Sequence, residues 1–290
     1  MTGTLYLCAT PIGNLEDITM RVINTLKTVD VIAAEDTRNS IKLCNHFNIT
    51  TPLTSYHEYN KYDKAAVLVK RMLDGENVAC ITDAGTPGIS DPGEELVREA
   101  LAAGIKVTSL PGPAACITAL TMSGLSTRRF AFEAFLPPDK KERADILAEL
   151  VNETRTIVLY EAPHHLAKTL LELLNALGDR KISIVKELTK VHETCFQTTL
   201  SSAVEYYKTN EPRGEYVIVI EGADREALKN EKEASFRDMD IMSHMKLYTD
   251  KGMDRKEAMK AVALDRGVPK REIYKELLAL KEAGEDKDEE

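Results

Sequence analysis

Five segments carry the residue types that could do chemistry. They are Thr10-Pro11-Ile12-Gly13-Asn14, Glu35-Asp36-Thr37-Arg38, Ser55-Tyr56-His57-Glu58, Asp83-Ala84-Gly85-Thr86-Pro87-Gly88 and Pro111-Gly112-Pro113-Ala114-Ala115. Each follows a short apolar run. One Gly/Pro segment alone reads as a tight turn that needs a left-handed residue. A succession of them at strand ends reads as one crevice lined by backbone amides and carbonyls, suited to a polar zwitterion and a flat purine. Such a site is neutral and rich in donors. The usual phosphate grips are missing: no GxGxxG follows the first apolar run, and no GxxxxGK[ST] occurs. HExxH fails because residue 61 is Lys61, adjacent His164 and His165 project differently, and GxSxG is absent. No metal site and no nucleophile elbow is therefore expected.

For these segments to meet, the apolar runs before them must be strands of one sheet, because open α/β sheets bind ligands beyond the carboxyl ends of their strands. Residues 4–9, 30–34, 77–82 and 106–110 read as strands, and residues just before Ser55 as another. Helical stripes cover 18–29, 37–47, 61–73, 93–103 and 114–123, with Asp91 as N-cap and Pro92 at the first position of the fourth. This alternation predicts a largely parallel α/β domain over 1–122. In 123–224, strands at 129–135, 154–160, 181–188, 192–200 and 215–221 surround helices at 141–151 and 163–177. Consecutive strands without a helix between them predict a mixed sheet with antiparallel pairs. From 225 onward only helices are expected, at 231–251, 255–266 and 270–281, followed by an acidic tail.

Composition bounds the class. The 290 residues exceed one comfortable core, and 43% hydrophobic with 29% charged is ordinary for a globular chain. Five cysteines without a CxxC read as reduced thiols. The N-terminus has no basic, apolar leader and no window is long and apolar enough to span a membrane, so a cytoplasmic protein with no membrane partner is expected. Taken alone, the net charge of −9 argues against nucleic acid. It is an average, however: residues 279–290 hold two basic and six acidic side chains, whereas 251–278 hold eight basic and five acidic.

The ordered motifs carry a resemblance. ATPIGNLEDIT at 9–19, AAEDTRNS at 33–40, SYHEYN at 55–60, ITDAGTPGISDPG at 81–93 and LPGPAA at 110–115 come first. SGLSTRRFAFEAFLP at 123–137, LYEAPHHL at 159–166, KELTKVHET at 186–194 and RGEYVIVIEG at 213–222 follow. With these motifs the sequence resembles the tetrapyrrole methylase superfamily, and within it the ribosomal RNA small subunit methyltransferase I family, over about residues 4–281. One departure is His165, where the pattern leads us to expect a basic residue and a phosphate contact. The resemblance implies two α/β domains with S-adenosylmethionine in the cleft between them, a homodimer, and 2′-O-methylation of a cytidine ribose in the decoding region of 16S rRNA. It implies a cofactor site of Pro11, Asp83, Ala84, Gly85, Pro87, Ala114 and Ala115, closed by Tyr160, Gly214 and Glu215.

A ribose hydroxyl is a poor nucleophile, so a base or hydrogen-bond acceptor should assist it. The candidates are Glu35, Asp36, His57, Glu58 and Glu187. Asp36 and Arg38 read equally as a capped helix start with a solvated ion pair. Arg38, Arg128, Arg129, Lys186 and Lys190 form a candidate set for RNA docking, either on 16S rRNA or on the small ribosomal subunit. The helical pair around Arg266-Gly267-Val268-Pro269 has a helix-turn-helix pattern. It reads either as packing or as an accessory RNA-binding module. Two other readings remain: methylation of a tetrapyrrole or corrin precursor, and a ligand-sensing helix-turn-helix regulator.

Overall fold

The structure, a computed structural model, describes residues 2–285, with side chains through Leu280. The chain divides into two compact units, Met1–Gly222 and Ala223–Glu290. The first contains two five-stranded sheets. Its strands β1 (Thr4–Cys8), β2 (Val31–Ala34), β3 (Leu53–Ser55), β4 (Val78–Ile81) and β5 (Lys106–Leu110) are ordered β3-β2-β4-β1-β5, every pair parallel.

Strand alternation sorts the helices of this sheet onto two faces. Leu5, Leu7, Val31, Ala33, Val78 and Cys80 face α3 (Lys61–Leu73) and α4 (Gly93–Ala102), packing on Leu68, Met72 and Leu96. Ile32, Ala34, Ala79, Ile81 and Leu110 face α1 (Met20–Thr28) and α2 (Thr37–His46), packing on Val22, Leu26 and Cys44. Being covered on both sides, β2 and β4 are wholly buried. The chain passes from β4 across β1 to β5, so the carboxyl ends of these three strands open at a switch point of the sheet order.

The second sheet has β6 (Phe130–Ala134), β7 (Thr156–Glu161), β8 (Lys181–Lys186), β9 (Thr194–Thr199) and β10 (Tyr216–Ile220) in the order β6-β7-β10-β8-β9. Only β6 and β7 pair in parallel; the other three pairs are antiparallel, as the strand succession predicted. In β10, Tyr216, Ile218 and Ile220 face α6 (Lys140–Leu150), α7 (Pro163–Leu177) and α8 (Leu200–Thr209). Val217 and Val219 face the opposite way, onto Cys116, Ala119 and Leu120 of α5 (Ala115–Met122). The helix that leaves the first sheet thus lines the inner face of the second.

Several local expectations are corrected. The helix expected from 18 starts at Met20, because the Thr19 hydroxyl accepts from the Val22 amide and Leu15–Asp17 forms a separate 3-10 turn. Asp91 is not the N-cap of α4. Pro92 holds that position, and the Asp91 carboxylate folds back to accept from the amides of Gly88, Ile89 and Gly93. Helix α8, absent from the sequence reading, is made of poor helix formers (LSSAVEYYKT). Thr199 caps it, and Leu200 and Ala203 bury against the α7 cluster, so tertiary packing overrides propensity.

The second unit holds α9 (Arg225–Asp238), α10 (Ile241–Thr249), α11 (Arg255–Asp265) and α12 (Lys270–Glu285). The single helix expected over 231–251 is two helices, since Met239 is extended and Asp240 caps α10 through the Ser243 amide. The last helix runs on through Glu285; the rest of the expected acidic tail lies outside the described residues. Ile241, Met245, Ala258, Val262, Ile273 and Leu277 form its core. Beside them His244 is completely buried, stacked 4.5 Å from the Phe236 ring. Its Nδ1 accepts from Arg266 Nε at 3.2 Å, and its Nε2 lies 3.3 Å from Asp265 Oδ2. Asp265 also takes the Tyr248 hydroxyl and pairs with Lys232.

Burial is the main cause that lowers the His244 pKa below its ordinary 6.5; Asp265 opposes the shift and Arg266 adds to it. The folded unit therefore binds fewer protons than the unfolded one just below pH 6.5. Its stability should be complete above pH 6.5 and decline as pH falls below that value. The protection factors of α10 amides, that is exchange corrected for its intrinsic pH dependence, should fall between pH 7 and 5.5, and His244→Gln should flatten that fall.

Candidate active site

The carboxyl ends of β4, β1 and β5 are tied together before any ligand is considered. The Thr10 amide donates to the Gly85 carbonyl at 2.9 Å, and the Gly85 amide returns a bond to the Thr10 carbonyl at 3.0 Å. Gly85 is left-handed (φ 87°), and a Cβ there would stand 3.3 Å from Ile12 Cγ2. The Thr10 hydroxyl donates to the Thr82 carbonyl, and the Thr86 hydroxyl to the Pro113 carbonyl. Three loops thereby become one rigid rim.

That rim and the second sheet enclose a cavity of about 270 Å³. From the first sheet come Ile12, Ala84, Gly85, Thr86, Ile89, Ala114 and Ala115; from the second come Phe135, Tyr160, Glu161, Val185, Leu188 and residues 215–217. A bulge between Phe132 and Ala134, with Ala134 left-handed, precedes Phe135. The Tyr160 hydroxyl accepts from the Cys116 amide at 3.0 Å at the start of α5, and burial is the main cause of its raised pKa. Glu161 is buried, accepting from the Thr169 hydroxyl and the Ala162 amide. The lining thus includes two acids, three aromatic residues and no lysine, arginine or histidine. Such a lining fits a cation with a flat ring and disfavours phosphate.

A second cavity, of about 360 Å³, lies across the same rim. Pro11 and Gly13 line it, whereas Ile12 lines the first; Thr82 and Asp83 line it, whereas Ala84–Thr86 line the first. The two cavities flank the paired loops of the rim, one on each side.

The expected site residues divide between these places. Ala84, Gly85, Ala114, Ala115, Tyr160 and Glu215 line the first cavity, while Pro11 and Asp83 line the second. Pro87 is buried behind the rim. Gly214 (φ 85°) packs on Glu187, which accepts from the Glu215 amide and Lys190 Nζ, both at 2.9 Å. Lys190 also pairs with Glu215 at 2.8 Å. The pKa of Glu187 is lowered, first by the Glu215 amide and then by Lys190. Glu187 and Thr189 are both left-handed, a strained pair held by this network.

The other candidate acids are also engaged. Glu35 accepts from the Thr82 hydroxyl at 2.5 Å and the Asp83 amide at 3.3 Å. Asp36 caps α2 and pairs with Arg38 at 2.7 Å, a hydrogen-bonded contact that lowers its pKa to about 2. Glu58 pairs with Lys61. His57 lies at the edge strand β3, two strands from β4, its Nδ1 buried without a hydrogen-bond partner. Asp83 bridges to the Asp36 amide and the Asn39 side chain by longer contacts of 3.2 and 3.3 Å, and is exposed to the second cavity.

Of the candidate cations, Lys186 and Lys190 stand at the cavity end of the second sheet. Arg128 and Arg129 precede β6, at the end opposite Phe135, and so stand apart from the others. Phe135, Glu161 and the apolar residues of β8 and β10 were not singled out in the sequence. Glu161 alone left a trace there, as an acid closing a buried strand (TIVLYE).

Comparison with known proteins bears on this geometry. The family model for tetrapyrrole (corrin/porphyrin) methylases matches residues 4–204. A ribosomal RNA small subunit methyltransferase I from Synechocystis sp. is 45% identical over 97% of this chain and 100% of its own length. The chain belongs to the ribosomal RNA small subunit methyltransferase I family. Its Bacillus subtilis relative is also 45% identical, over 94% of this chain and 93% of that protein. Among solved structures, diphthine synthase is similar to this family member with a TM-score of 0.62 at 13% identity, over 76% of this chain and 90% of that one. Uroporphyrin-III C-methyl transferase from Thermus thermophilus, complexed with S-adenyl homocysteine, gives 0.54 at 21% identity, over 75% and 97%. These two likenesses concern the fold.

Two glycines of this methyltransferase-family chain offer an internal comparison. Gly104 is left-handed with nothing within 4 Å of an added Cβ, whereas a Cβ on Gly214 would stand 2.6–2.7 Å from the Glu187 carboxyl group. Gly104→Ala should cost only backbone strain, about 1 kcal/mol. Gly214→Ala should cost more and release Lys190, as urea unfolding and the lysine's NMR signal will register.

Proposed function

We propose that the protein transfers the methyl group of S-adenosylmethionine to the ribose 2′-hydroxyl of a cytidine in the decoding region of 16S ribosomal RNA. The observation that carries this reading is 45% identity, over nearly the full chain, to proteins named ribosomal RNA small subunit methyltransferase I. The cavity supports it through its fit to a cation with a flat ring. S-adenosylmethionine supplies, when bound, a methyl group already activated by a positively charged sulfur.

The protein's own task is to position and to desolvate. No cationic side chain of the lining opposes the bound sulfonium; Glu161 is turned to Thr169 and Glu215 shares its charge with Lys190. Phe135 and Tyr160 offer aromatic faces, and the backbone of Ala84–Thr86 and of Ala114 and Ala115 offers donors and acceptors to the polar end. The acceptor ribose approaches from the Asp83 side and reaches over the rim, so that its 2′-oxygen touches the methyl carbon at the edge of the first cavity while Asp83 takes a hydrogen bond from the 2′-hydroxyl. As the hydroxyl oxygen bonds the methyl carbon and the carbon–sulfur bond breaks, the proton leaves toward the Asp83 carboxylate. Glu35 acts behind it by fixing the Asp83 amide. The same reading implies a cytoplasmic homodimer, a state that sedimentation equilibrium measures. Among the described residues, no helix is long and apolar enough to cross a membrane.

Incubation with labelled S-adenosylmethionine and small ribosomal subunits lacking the modification should place label on one cytidine, in a linkage resistant to alkali. Label on a tetrapyrrole and none on RNA overturns the reading. Asp83→Asn should lower kcat about a hundredfold while S-adenosylhomocysteine affinity stays within about twofold.

A further inference from the structure

The second cavity does not end at Asp83. It shares Gly13, Leu15 and His46 with a neighbouring hollow that runs on to Thr189–His192, so the two form one groove between α2 and the β8–β9 connection. Gly13 is the floor where the walls come closest: a Cβ there would stand 2.6 Å from Lys190 Cγ and 2.7 Å from the Leu188 carbonyl. Cationic or titratable bases succeed one another along the groove. Lys42 and His46 project from successive turns of α2, both exposed, and His192 stands exposed at the far end. Among the described residues Lys42 has no carboxylate partner. Leu15, 42% exposed, provides an apolar platform between them. The acids are placed differently: Asp83 stands at the deep end and Glu16 on the outer part.

We propose that this groove holds a single-stranded stretch of RNA, with the acceptor nucleotide seated at Asp83, a neighbouring base on Leu15 and His46, and backbone phosphate at Lys42 and His192. The inference rests on the reading of the chain as an RNA methyltransferase and names the part of it that recognises the strand. The ribose hydroxyl must settle at Asp83 in a cavity of about 360 Å³, which an unpaired nucleotide can reach by turning out of its stack. Unstacked bases then expose their faces to apolar and ring side chains, which is how single strands are commonly held. Phosphate belongs at Lys42, on the groove side of α2, and not in the donor cavity, whose lining holds no cation. The net charge of −9 is no obstacle, because the contact is local.

The test uses the full chain and a fluorescein-labelled single-stranded RNA of about 12 nucleotides, together with a duplex of the same sequence. The single strand should bind more tightly than the duplex. Lys42→Ala should weaken single-strand binding about fivefold and reduce the slope of log affinity against log salt by about 0.7, the release expected for one phosphate contact. Lys42→Arg should restore both, and Lys106→Ala, at the start of β5 on the opposite end of the sheet, should change neither. In turnover on small ribosomal subunits, Lys42→Ala and His46→Ala should raise KM and leave kcat and S-adenosylhomocysteine affinity in place. Unaltered KM and salt slope in Lys42→Ala, in an enzyme that still methylates ribosomal RNA, overturn the groove and leave the function standing. Absence of transfer to any ribosomal RNA by the unmodified chain overturns both.

Discussion

Everything at the site depends on the reciprocal backbone pair between Thr10 and Gly85. Two hydrogen bonds join the loop after β1 to the loop after β4, and they form only because residue 85 can be left-handed beside Ile12 and Pro113. The pair sorts both loops between the cavities: Ile12 turns to one while Pro11 and Gly13 turn to the other, and on the second loop the boundary falls between Asp83 and Ala84. One local geometry therefore creates two chambers with different chemistry: one lined by aromatic and aliphatic residues without a cation, and one by Asp83 and α2. Transfer of a group needs the two reactants in contact, so an acceptor held beside Asp83 must reach over the rim to the methyl group held in the first chamber.

The second sheet completes the first chamber by the same period-two logic. Its inner face presents Val158, Val185, Val217 and Val219 to α5, and where these strands end the residues of that face become cavity wall. Tyr160 links the two functions, packing on Phe132 at 5.0 Å while its hydroxyl satisfies the Cys116 amide at the start of α5. An amide that would otherwise lack a partner at a helix start is thereby paired, and the spacing of the two sheets at the cavity is fixed.

What the sequence revealed and what it concealed follow from the range of the forces involved. The sheet succession and most helices were legible because apolar periodicity is local, and Pro163–Leu177 and Lys61–Leu73 begin and end where the pattern says. The strand-end loops were legible too, since glycine and proline announce turns. Helix α8 was not, because its residues have little helical preference and its stability comes from α7, which lies more than twenty positions earlier. The break before α10 was hidden for the opposite reason: the helical pattern continues through Met239, and only the Asp240 cap interrupts it. Among the candidate acids, sequence could place Glu35, Asp36, Glu58 and Glu187 near strand ends. It could not show that each already serves a neighbour, because Thr82, Arg38, Lys61 and Lys190 meet them through side-chain geometry.

That pattern of commitment is itself an argument about the site. A carboxylate already held by short bonds to a hydroxyl, a guanidinium or an ammonium must break them before it can take a proton, and its basicity falls with each partner. Asp36 illustrates the limit, with its pKa drawn down to about 2 by Arg38. Glu187 is likewise lowered by an amide and a lysine. Asp83 is joined to its partners by contacts of 3.2 and 3.3 Å and faces the second chamber, so it gives up least on meeting a hydroxyl. Glu35 then has a clear place: it holds the amide of Asp83 while that carboxylate faces the second chamber.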